Sequence, residues 1–156
     1  MGDRVAVGTQ TPCGACRACL RHEPHDCDVN WGFAPFFPFD LDGTPVASFA
    51  NISSFAAEIV VKASQLFAIG QLPLEEGALI GCAVSTGVCA SRVLGRAAKG
   101  DTVVVFGVGG IGVNAIQGAA VAGAKVIAVD RNPAKEAVAR QFGASAFVLA
   151  DPALDS

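Results

Sequence analysis

The sequence predicts an α/β protein with a loop- and strand-rich first portion and a βαβαβ second portion. Three observations lead there. Cys13, Cys16, Cys19 and Cys27 are spaced C-x2-C-x2-C-x7-C in a stretch rich in Gly, Pro and His. A glycine run, Gly107-Val108-Gly109-Gly110-Ile111-Gly112, stands between a β-branched apolar segment and a segment of helical period. Near Gly81 the chain changes from short extended pieces and turns to alternating strand and helix. The expected domains are therefore residues 1–80, with a metal lobe at 9–28, and residues 81–156.

Taken in order, Arg4–Val7 reads as a short strand and Thr9–Asp28 as the metal lobe. Four thiols in so short a span leave no room for a long helix or strand, but they can enclose one tetrahedral ion. A closed all-thiolate shell is the usual form of structural zinc, and its binding energy holds a loop that has little core of its own. A disulfide pair would suit a secreted chain, yet MGDRVAVG is too short and charged for a signal peptide. An iron–sulfur cluster also uses C-x2-C-x2-C, but its fourth cysteine normally follows sooner and precedes a proline, whereas Asp28 follows Cys27 here. His22 and His25 lie in the lobe, where four thiolates already fill the shell.

Asn30–Gly43 reads as an aromatic, proline-broken loop, and Asn51–Val61 as a turn passing into a strand. Leu74–Gly95 reads as a helix, a break at Gly81 and a second helix from near Ser85. The 23 residues from Thr102 to Ala124 carry no charge and are long enough for a bilayer. Their grammar changes midway, however. Thr102–Phe106 suits a buried parallel strand, and Ile111, Ala115, Ala119 and Ala122 recur at helical spacing. The remaining expected elements are a strand at Lys125–Val129, a helix at Pro133–Phe142 and a strand at Ala146–Leu149.

The glycine run fits G-x-G-x-x-G between strand and helix, the fingerprint of a dinucleotide turn. Gly107 permits the turn, Gly109 lets the backbone approach a pyrophosphate, and Gly112 packs helix on strand. The helix N-terminus then offers unpaired N–H groups to the anion. Asp130 ends the next strand about 20 residues on, the ribose-binding position of a Rossmann half-domain. Its carboxylate would accept both ribose hydroxyls and repel a 2′-phosphate, so NAD is expected over NADP, with Arg131 softening that preference. An Asp capping the next helix is the plainer reading, and both can hold.

Composition bounds the function. A chain of 156 residues, 52 % hydrophobic, can bury a core. A net charge of −3 and a pI near 5.2 give no basic field for nucleic acid or an anionic membrane. Mean hydropathy of +0.49 is high for one solvated domain, so some apolar surface should belong against something else.

The order GDRV, four-cysteine lobe, DGTPV-x-SF, SSFAAE-x-VV, GC-x-x-STG, GD-x-VVVFG-x-GG-x-G and AVD-x-NPAK resembles the zinc-containing alcohol dehydrogenases of the medium-chain dehydrogenase/reductase superfamily. The resemblance covers nearly the whole chain. It implies a partial GroES-like catalytic domain followed by the first half of a Rossmann domain. It also implies hydride transfer between a primary or secondary alcohol and NAD, with zinc and NAD as cofactors. By the same match Cys82 would be a catalytic-zinc ligand, Thr86 would contact the nicotinamide end, and Lys135 would sit by the adenosine ribose with Asp130. Val108, Gly110 and Ile111 complete the cofactor turn. Without the resemblance Cys82 would read as a core residue, and Cys89, which matches no motif, is expected in the core.

In that family a further cysteine, a histidine and a proton relay complete the catalytic site. No histidine outside the lobe supplies them here, so the chain is expected to be a fragment, inactive alone. A non-catalytic zinc- and nucleotide-binding remnant and a thiol-adduct-dependent formaldehyde dehydrogenase are the alternatives. A cytoplasmic location and a homo-oligomeric full-length protein are expected, with no nucleic-acid or membrane partner.

Overall fold

The computed structural model describes residues 2–29 and 37–151, which divide into two compact units, Met1–Gly77 and Ala78–Ser156. In the first unit, β1 (Val5–Val7) pairs antiparallel with β4 (Leu66–Ala68), Val5 opposite Ala68. Gln65, 2 % exposed, locks this pair. Its Nε2 donates to the Gly8 carbonyl at 2.9 Å, its Oε1 accepts from the Lys62 amide at 3.0 Å, and its own carbonyl accepts from the Gly8 amide at 2.8 Å. The lobe between these strands holds a single helical turn, α1 (Arg17–Leu20), and a 3-10 turn at Pro24–Asp26.

Residues 30–36 of the aromatic segment lie outside the described residues. Its remainder is not all loop: β2 (Phe39–Leu41) pairs antiparallel with β3 (Thr44–Val46) across Asp42-Gly43. Both turn residues have positive φ, 51° and 82°, the conformation that a two-residue hairpin of this twist requires. The strand expected within Asn51–Val61 is absent: this stretch holds a 3-10 turn at Phe49–Asn51 and then irregular chain, with Val60 fully exposed. β-branched residues favour a strand only where a ladder is available, and β1 takes Leu66–Ala68 instead. Among the described residues this unit forms two two-stranded sheets and no closed barrel.

The expected break at Gly81 is also corrected. Leu74–Leu94 is one helical run in which α2 (Leu74–Leu79) and α3 (Ser85–Cys89) are joined and followed by π-helical stretches, Ile80–Val84 and Ala90–Leu94. Serine hydroxyls accompany both stretches: Ser85 Oγ donates to the Ile80 carbonyl, and Ser91 Oγ to that of Val88 at 3.1 Å. Such back-bonding widens a helix without ending it. The run is long and apolar enough to cross a membrane, but in the second unit α3 lies against α4 with Gly87 and Ser91 buried.

Thr102–Ala124 forms strand, turn and helix as expected: β5 (Thr102–Phe106), then α4 (Gly110–Val121). With β6 (Lys125–Asp130), α5 (Lys135–Gln141) and β7 (Ala146–Leu149) they make a parallel sheet of order β5-β6-β7. This is the first half of a Rossmann domain. α4 packs on β5 and β6, and α5 on β6 and β7. Ile116, Ala119, Val126, Ala128 and Ala139 are wholly buried between them. The small alanines let helix and sheet approach closely, and the buried face of α4 centres on Ile116 and Ala119 while Ile111 is exposed.

Candidate metal centre and nucleotide site

The lobe brings all four predicted cysteines together: their sulfurs lie within 4.8 Å of one another. Cys16 Sγ and Cys27 Sγ are 3.9 Å apart. Four sulfurs about 2.3 Å from a central zinc stand roughly 3.8 Å from each other, so this separation is the edge of a zinc tetrahedron. The amides of Ala15 and Cys16 donate to Cys13 Sγ at 3.4 and 3.3 Å, and the amide of Cys13 to Cys27 Sγ at 3.4 Å. Such N–H donors suit sulfur carrying negative charge. Without a cation the cluster cannot ionise evenly. Loss of water pushes the Cys19 thiol up to about 11, whereas N–H groups of Cys19 and Asp28 hold Cys16 below its ordinary value. A divalent ion at the centre reverses that conflict, so the donor set fits zinc. Neither His22 nor His25 belongs to the cluster.

In the second unit, Gly107 has φ +90°, and a Cβ on Gly112 would overlap the Gly107 carbonyl oxygen. Nothing lies within 4 Å of the Cβ position of Gly109, so the backbone there stands open to a ligand. The first helical bond of α4 runs from the Val113 amide to the Gly109 carbonyl at 2.9 Å, and no side chain caps the helix start. The preceding N–H groups therefore point outward, free for an anion. These features fit the pyrophosphate of a dinucleotide.

Asp130 is tied to this turn. Its Oδ2 accepts from the buried Val108 amide at 2.6 Å and its Oδ1 from the Asn132 amide at 2.9 Å. Those two N–H groups, Val108 first, hold its carboxyl below the ordinary carboxylate value, and the charge of Lys135 adds to the effect. Asn132 Oδ1 in turn accepts from the Ala134 amide at 3.0 Å, so Asn132, rather than Asp130, leads the chain into α5. Phe106, Gly107, Val129, Asp130, Arg131 and Ala150 line a cleft at the strand ends. Sequence reasoning missed Phe106, Val129 and Ala150. The rule that ligands bind beyond the carboxyl ends of parallel strands could have found them.

The profile of the zinc-binding dehydrogenase family matches residues 110–155. The chain is 38 % identical to an NDMA-dependent alcohol dehydrogenase of Amycolatopsis methanolica, over 97 % of its own length and 43 % of that relative's. The benzyl alcohol dehydrogenase of Acinetobacter calcoaceticus is 27 % identical at a TM-score of 0.80, covering 99 % of this chain and 44 % of that one. Over nearly its whole length this chain is thus similar to zinc-containing alcohol dehydrogenases. A cobalt- and zinc-bound thermostable alcohol dehydrogenase of Pyrobaculum aerophilum is also similar, at 27 % identity and a TM-score of 0.72, over 95 % of this chain and 41 % of that one. The chain spans about two fifths of the length of the curated relatives it matches.

Cys82 and Thr86 sit one helical turn apart on the Leu74–Leu94 run, and both are exposed. Among the described residues, the four lobe cysteines form the one group of three or more ligand-type side chains gathered within reach of a single ion, and Cys82 is not in it. Cys89 is exposed, which corrects its expected place in the core. It falls two residues from buried Gly87 and two from buried Ser91, hence on the opposite face of the helix.

Proposed function

We propose that this chain supplies the structural-zinc lobe and the adenosine half of the NAD site in a zinc-dependent alcohol dehydrogenase. The reaction would interconvert primary or secondary alcohols with aldehydes or ketones. The observation that carries the reading is a four-thiol cage in the same chain as a glycine turn backed by a charged carboxylate. Residues 1–80 act as the lobe-bearing portion of the catalytic domain, and residues 81–156 as the cofactor-binding portion.

Cys13, Cys16, Cys19 and Cys27 hold the structural ion, which fixes a loop with little core. Gly107, Val108, Gly109, Gly110, Ile111 and Gly112 present the turn and helix start to the pyrophosphate. Asp130 accepts the ribose hydroxyls, with Lys135 beside it, and Thr86 faces the nicotinamide end. Cys82 is a ligand of a second, catalytic zinc, which when bound supplies the Lewis acidity that lowers the alcohol's pKa near neutrality. Thiols kept reduced for metal binding suit the cytoplasm.

Metal analysis and titration calorimetry test the proposal on the purified chain. About one zinc per chain is expected, together with weak NAD binding carried by the adenosine end, so that ADP-ribose binds about as well as NAD. Cys82 alone should hold no second zinc through dialysis, and no primary alcohol should be oxidised above background. A stoichiometry near two, or NADH formation lost in Cys82→Ser, would show that the catalytic centre is already complete. A metal-free chain that ignores ADP-ribose would sink the proposal.

A further inference from the structure

The second unit carries a basic patch at the end of its sheet remote from the glycine turn. From Arg92 to Lys125 the chain has four cations, Arg92, Arg96, Lys99 and Lys125, and one acid, Asp101. The fold gathers them at the amino ends of β5 and β6. The Ala97 amide donates to the Ser91 carbonyl at 2.9 Å, a Cβ on Gly123 would lie 3.2 Å from Lys99 Cβ, and the Lys125 amide donates to the Asp101 carbonyl at 2.8 Å. All four cations are exposed, and among the described residues none enters an ion pair. Asp101 turns back to accept from the Ala98 amide through Oδ2 at 2.9 Å. Arg96 has φ +50°, where glycine is the usual residue after a helix, so a guanidinium is held here against backbone strain. The Leu74–Leu94 run and α4 both end here, and helix carboxyl ends suit cations. That does not account for Leu94 and Val121, which close the two helices 81 % and 74 % exposed.

The first unit carries the complement. From His22 to Val61 there are six acids and no lysine or arginine. Within this stretch every strand residue of the β2–β3 hairpin is exposed, Phe39, Leu41 and Val46 included, with Asp40 and Asp42 between and beside them. Two strands with neither face covered gain little stability in water, so the hairpin calls for a covering surface. We infer that this acidic, apolar hairpin docks on the basic, apolar patch of a second copy of the chain. The two surfaces match in charge, and each brings apolar side chains that its own unit leaves bare. A nucleic acid would meet the cations but leave Leu94 and Val121 in water.

A contact between unlike surfaces can be tested by complementation. Sedimentation velocity compares the unmodified chain with Arg92→Glu/Lys99→Glu on the patch and Asp42→Asn/Thr44→Lys on the hairpin, with circular dichroism checking the fold. The unmodified chain should associate about five-fold more weakly in about 500 mM than in about 50 mM NaCl, because salt screens the exposed charges. Each variant alone should associate at least about five-fold more weakly than the unmodified chain, and an equimolar mixture of the two should regain a 1:1 complex through its one intact contact. The inference is overturned if association ignores salt, if either variant associates like the unmodified chain, or if the mixture behaves as the separate variants do. An unmodified chain that stays monomeric yet binds vesicles of equimolar phosphatidylserine and phosphatidylcholine would assign the patch to a lipid surface and also overturn it. If a variant fails to fold, the salt series on the unmodified chain decides.

Discussion

Asp130 joins chemistry and stability in one side chain. Its carboxylate holds the Val108 amide, and with it the glycine turn, so its charge supports the fold even with no nucleotide bound. Because its folded-state pKa lies below the ordinary value near 3.9, the stabilisation is fully present above that value and fades as pH falls through the lower one. Thermal melts between about pH 5 and pH 2 should show a steeper loss for the wild type than for Asp130→Asn, which should also bind ADP-ribose more weakly at neutral pH. Equal slopes would deny the carboxylate its place in the turn. Gly112→Ala forces a Cβ onto the Gly107 carbonyl and should cost about 3 kcal/mol or more, since the clash is with backbone. Chemical denaturation reads that loss, and an unchanged midpoint would contradict the packing. Both residues were legible in the sequence because the turn is built from neighbours at fixed spacing. Exposed Cys89 and the partner role of Asn132 were not, since they depend on which helix face is covered and which oxygen the backbone happens to meet.

At the scale of elements the lobe is the sharpest case. It was legible because all four donors lie within one short segment and no distant pairing is needed. Cys16→Ser leaves three sulfurs for a four-coordinate ion, so the variant should lose zinc on dialysis and be cut by protease between Thr9 and Asp28. Limited proteolysis with and without a chelator provides the control, and equal cleavage rates would mean the lobe stands without metal. The β2–β3 hairpin was also readable, from Asp42-Gly43 between apolar residues, but proline and aromatic density drew the reading toward loop. β4 left no such local signal. Its partner β1 is remote in sequence, and the buried Gln65 that fastens the two looks like an ordinary surface residue until its three bonds are seen. The π-helical stretches were hidden for a different reason: the same serines that suggest a helix start can also bond backward and keep the helix going.

Across the whole molecule, the high mean hydropathy has a visible counterpart. Phe49, Phe55, Val60, Leu94 and Phe106 are each at least 80 % exposed, and among the described residues both outer strands of the β5-β6-β7 sheet present unpaired edges. Apolar surface and open ladders together favour association. Light scattering at micromolar concentration should report species larger than the 15.8 kDa monomer. A monodisperse monomer would mean these surfaces are tolerated in water. The position of the cysteines has one more consequence. Every sulfur donor of the four-cysteine cage precedes Asp28, far ahead of the parallel sheet in the order in which a ribosome makes the chain. The cage needs nothing synthesised later, so it can capture its ion while β5, β6 and β7 are still unmade. Zinc scarcity would then act on the nascent polypeptide, and a chain released with an empty cage would carry its fault from the first moments of its synthesis.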